Sequence, residues 1–64
     1  MITTVKELRK SIKRKVASMG IGTVKALSQP NSHNTRKMWL RDTFGLWSQG
    51  TEDFLKQCLR ERLP

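Results

Sequence analysis

Residues 4–20, "TVKELRKSIKRKVASMG", decide the fold. The apolar residues Val5, Leu8, Ile12, Val16 and Met19 recur at spacings of 3, 4, 4 and 3, which is the period of an α-helix and not of a strand. Thr4, followed three residues later by Glu7, has the form of a capping box: the hydroxyl serves the third helical amide and the carboxylate reaches back to the cap. At about 100° per residue the five apolar side chains fall within an arc of roughly 80°. The stretch therefore predicts a helix over 4–18 with one face for a core, and Gly20 as its left-handed stop.

The other face of the same helix carries the chain's densest charge. "KELRKSIKRK", residues 6–15, holds six basic residues and one acidic one. Arg9, Lys13, Lys6, Lys10 and Arg14 fan across an arc of about 140° next to the apolar stripe, while Lys15 lies on its far flank. A helix face that only meets solvent usually alternates Glu with Lys at i, i+4. Here Lys6–Lys10, Arg9–Lys13 and Lys10–Arg14 are like-charge pairs, each costing a few tenths of a kcal/mol. Lys6 and Arg9 also sit near the positive end of the helix macrodipole. Glu residues would remove these penalties, so an external anion is the better account of the face than simple solubility.

Further along, "GTVKALSQP" reads as a two-turn helix over 23–29, capped by Thr23 and ended by Pro30, with a strand through "GTVKA" as the alternative. "PNSHN" is a loop by composition. Thr35 is a cap for the segment "TRKMWLRDTFGLW", in which Met38, Trp39, Leu40, Phe44 and Trp47 are apolar and Gly45 weakens the helix. A hairpin through "RDTFG" is the alternative there. "TEDFLKQCLRERLP" reads as a final helix. Thr51 caps it, Glu52 and Asp53 lie at its positive end, and Arg60 and Arg62 lie at its negative end. Phe54, Leu55, Cys58, Leu59 and Leu63 form its buried stripe.

The expected architecture is all-α: residues 1–64 as one small domain, a bundle of three or four short helices, with helix-turn-helix as a variant. Its core is Leu8, Ile12, Val16, Leu27, Trp39, Leu40, Phe44, Trp47, Phe54, Leu55 and Leu59. The chain has 64 residues, 36% of them hydrophobic. A chain this short buries only about 60% of its unfolded surface, so each of these side chains is needed.

The composition narrows the function. Net charge is +8 and the pI about 10.7, a balance that suits nucleic acid, an anionic membrane or an acidic protein. Residues 1–30 hold seven Lys/Arg against one Glu, a net +6, and residues 31–64 hold six against four Asp/Glu, a net +2. One cysteine excludes an internal disulfide, and one Cys with one His makes a zinc site unsupported. No apolar run approaches the roughly 20 residues of a membrane span. A reducing, cytoplasmic location fits the cysteine usage. The basic, acid-poor first 20 residues loosely share the composition of an organellar presequence, a lesser reading.

No catalytic arrangement is present. His33 is isolated in sequence and reads as a surface loop residue, Cys58 reads as a buried inert thiol, and "GIG" lacks the rest of a phosphate loop. The expectation is no enzyme, no cofactor and no metal. The function expected is that of a small nucleic-acid-binding protein, with DNA ahead of RNA, an accessory or regulatory factor of the kind phages, plasmids and bacteria carry. Lys6, Arg9, Lys10, Lys13 and Arg14 would contact phosphates, with Arg36, Lys37 and Arg41 as a second patch. In "SHNTRKMWLR", Asn34 and Arg36 also have the chemistry to pair with base edges, although the turn before them is long for a helix-turn-helix. The alternative is an inhibitor or adaptor docking on an acidic protein. A homodimer is compatible with so small a core, without a heptad seam to direct it.

Overall fold

The structure, a computed structural model, describes residues 5–63. Four helices follow in order: α1 (Val5–Ser18), α2 (Ile21–Leu27), α3 (His33–Phe44) and α4 (Gln49–Arg62). No strand occurs among the described residues. The chain is an all-α bundle, as the periodicity predicts, and both strand-containing alternatives are excluded for the described residues. No helix among them is long and apolar enough to cross a membrane.

Helix α4 is the central element and packs on each of the other three, most extensively on α1. Its Leu55, Cys58 and Leu59 meet Leu8, Ile12 and Val16 of α1, Val24 and Leu27 of α2, and Leu40 of α3 in one buried cluster. Met19, Trp39, Phe44, Trp47, Phe54 and Leu63 pack around it, half-buried. Full burial of a Leu, Ile or Val side chain contributes about 1.5–3 kcal/mol. A handful of such residues has to offset the ordering of the whole backbone, which leaves little margin.

Helices α1 and α4 run in the same direction. Near their starts the Arg9 guanidinium lies over the Phe54 ring, 5.5 Å from its centroid. At their far ends Arg62 Nη1 donates to the carbonyls of Val16 and, at 2.9 Å, of Met19. Arg62 thus satisfies the carbonyls that α1 leaves open at its C-terminus. Val5 is the exception to the α1 stripe: in the first turn, it is 65% exposed.

The element boundaries depart from the sequence reading in five places. Helix α2 runs Ile21–Leu27 and not 23–29, with Thr23 inside it and not at its cap. Gly20 is not a left-handed stop. It is extended (φ −69°, ψ 154°) and forms the N-cap of α2, because α2 starts immediately and glycine serves as a cap without a side chain. The left-handed stop is Gly45, at φ 79°, whose amide closes onto the Arg41 carbonyl and ends α3. Helix α3 starts at His33, two residues ahead of Thr35. The cap of α4 is Ser48, not Thr51: Ser48 Oγ accepts from the Thr51 amide at 3.2 Å, and the two hydroxyls are 2.6 Å apart. Thr51 itself is buried in the first turn. The expected Thr4 cap lies outside the described residues.

Candidate nucleic-acid interface

The apolar stripe of α1 is committed to α4, and this fixes which way the remaining side chains point. Lys6, Arg9, Lys10, Lys13 and Arg14 are all exposed. The two ion pairs made by Glu52 involve none of these five residues. Arg9 is anchored at its inner edge by the Phe54 ring; the other four are solvated. From Lys6 to Arg14 the face spans roughly 12 Å of helix axis, at about 1.5 Å per residue.

The second expected patch divides. Arg41 is exposed on the last turn of α3. Lys37 is half-buried and places its ammonium 4.7 Å from the centroid of the Trp47 ring. Arg36 is corrected: it is only 4% exposed, and its guanidinium faces inward. Its Nε donates to Glu52 Oε2 at 3.1 Å, and its Nη1 donates to the Leu27 carbonyl at 2.8 Å and the Gln29 carbonyl at 3.2 Å. Arg36 therefore caps the end of α2 through Nη1 and does not belong to the outward basic patch. Asn34 and Thr35, beside it on the first turn of α3, are exposed, so Arg36 alone is withdrawn from that end of the helix.

The partner of Arg36 is the residue sequence reasoning missed. Glu52 sits in the first turn of α4, as expected for an acidic residue at the positive end of a helix, yet it is 2% exposed. Its carboxylate collects three donors: Arg36 Nε, Trp47 Nε1 at 3.0 Å, and His33 Nδ1 at 2.8 Å from Oε1 and 2.9 Å from Oε2. His33 is consequently no free loop residue. It opens α3, and its ring also meets the Trp47 ring edge-on at 5.9 Å between centroids.

Burial pushes the Glu52 carboxyl upward, but the hydrogen bonds from His33, Trp47 and Arg36 together outweigh it and hold the group below its ordinary value. An ionised carboxylate only accepts, so His33 Nδ1 carries the proton in this contact.

A signal for this cluster exists in the sequence. His33, Arg36, Leu40 and Phe44 are spaced 3, 4 and 4, and Glu52, Leu55 and Leu59 are spaced 3 and 4. Each polar residue is in register with an apolar stripe.

Cys58 is buried, as expected. Burial raises its thiol pKa, Glu61 adds to the rise, and Lys13 offsets part of it. The group is a packed side chain and not an activated nucleophile. No group of three or more His, Cys, Asp or Glu residues among the described residues could hold a metal ion.

Comparison with known proteins adds no further constraint: no family model, curated protein or solved structure matches this chain.

Proposed function

We propose that this chain is a small nucleic-acid-binding protein, an accessory or regulatory factor whose preferred partner is DNA, and that it contacts phosphates through the outer face of α1. The observation that carries this is the grouping of Lys6, Arg9, Lys10, Lys13 and Arg14, all exposed, on one arc of a helix whose opposite face is fixed to the core. Duplex DNA presents one phosphate charge per about 1.7 Å of axis. Over roughly 12 Å of axis the two strands together present about seven phosphate charges and a single strand about three to four, so engaging all five cations takes phosphates of both strands. Arg41 supplies a further exposed cation. With Arg36 turned inward, the remaining contacts are to the backbone, so binding is weakly dependent on sequence.

The test is a titration of the protein into duplex DNA and structured RNA over a range of salt concentrations. Five neutralised phosphates give a slope of log K against log salt near −4.5 on B-DNA. Replacing Lys10 and Lys13 by Gln brings that slope down by about two and weakens binding alike on all duplex sequences. Absence of binding at low salt, or an unchanged slope in the double variant, overturns the proposal. Capture of one acidic protein in place of nucleic acid establishes the adaptor reading.

A further inference from the structure

We infer that the cleft between the end of α2 and the flank of α4 is a binding site for a small organic monocarboxylate. The cleft has a volume of about 160 Å³, with Pro30, Leu59 and Leu63 as apolar walls and Arg36, Lys56 and Arg60 as its cations. Arg36 is the fixed element. Its Nε and Nη1 are engaged by Glu52 and by two carbonyls, while Nη2 has no acceptor among the described residues. No fully buried side-chain nitrogen among those residues lacks a partner. Nη2 is the one Arg36 nitrogen outside these bonds, and Arg36 lines the cleft. A guanidinium locked by three other hydrogen bonds offers a donor already oriented for an anion.

The local charge points the same way. Glu52 neutralises Arg36, so the field in the cleft comes from Lys56 and Arg60. These lie four residues apart on α4, a like-charge pair that isolated helices disfavour and that an anion between them relieves.

The ligand class follows from what surrounds the donor. The apolar walls accommodate a short hydrocarbon body beside the charge. The cleft also lies at the C-terminal ends of α2 and α4, where the helix dipoles oppose negative charge. Inorganic phosphate has no hydrocarbon body to place against Pro30, Leu59 and Leu63, so the apolar walls favour an organic carboxylate. The site is separate from the proposed nucleic-acid face. Phe54 and Cys58, on the α1 side of α4, lie roughly 160° around the helix from Lys56 and Arg60.

Benzoate is a suitable probe, followed by two-dimensional ¹⁵N NMR of the intact chain. The expected result is saturable shifts at Gln29, Leu59 and Leu63 while the α1 amides stay still. Benzyl alcohol and inorganic phosphate at matched ionic strength should leave the cleft signals in place. Lys56 and Arg60 are exposed, so the double variant Lys56→Gln, Arg60→Gln keeps the fold and binds benzoate about fivefold more weakly, the scale of an exposed charge contact. The inference is overturned by the absence of saturable shifts with benzoate, by equal shifts with benzyl alcohol or phosphate, or by unchanged affinity in the double variant. None of these outcomes bears on the DNA titration.

Discussion

Helix α1 turns Lys6, Arg9, Lys10, Lys13 and Arg14 outward, whereas α3 buries Arg36, rests Lys37 on Trp47 and leaves Arg41 in solvent. In one-letter code the two runs of cations look alike. The difference lies in register. The α1 cations fall between the positions that carry its buried residues, Leu8, Ile12 and Val16. Arg36 stands one helical turn before Leu40, on the stripe itself. An arginine there is tolerable only because α4 supplies a carboxylate and α2 supplies two carbonyls. Charge density in a sequence therefore measures interface only where the apolar period excludes burial.

This contrast can be broken from either side. The largest effect belongs to the buried cluster. Glu52→Ala leaves Arg36 without its counter-charge and should cost about 3–5 kcal/mol, read as a urea midpoint; in so small a chain that approaches loss of the fold. A change below about 1 kcal/mol would mean that the cluster does not hold α2, α3 and α4 together. Arg62→Gln, which removes the charged cap on α1, should cost about 1–3 kcal/mol in the same measurement.

Next comes acid. Because the folded Glu52 group is held below its ordinary value of 4.5, its contribution to stability is complete above that value and is lost as pH falls through the lower folded value. The stability gap between the native chain and Glu52→Gln should therefore close on acidification below pH 4.5. A gap that stays constant from neutral pH down to strong acid would show that the ionised carboxylate is not what the cluster requires.

The smallest effect belongs to the basic face. Lys10→Gln with Lys13→Gln removes the three i, i+4 like-charge pairs of α1 and should leave the fold unchanged or stabilise it by a few tenths of a kcal/mol, while flattening the salt dependence of DNA binding. Unfolding of this variant would show that the face is not the solvent side of α1.

The periodic parts of the chain were legible in advance. Helix α1 and the stripe of α4 follow directly from apolar spacing, and Leu8, Ile12, Val16, Leu27, Leu40, Leu55 and Leu59 are buried as the pattern implies. The aromatics are half-buried around that core and do not fill it. Caps were less legible. Ser48 and Thr51 both have the chemistry of an N-cap, and so do Ser32 and Thr35. Which one acts depends on where the chain enters the bundle: the Ser32 hydroxyl, for instance, donates to the Ala26 carbonyl and caps nothing in α3.

What the sequence by itself determined is the first and last helices and the direction of the α1 face. Both rest on local physics: a 3.6-residue period, and a stripe that must leave water. What only the tertiary structure decided is the fate of His33, Arg36, Trp47 and Glu52. The Glu52 carboxylate lies 19 residues from His33 and 16 from Arg36 along the chain. A buried ion survives only where its partner is delivered, and that delivery is made by packing α2 and α3 against α4, which no local pattern specifies.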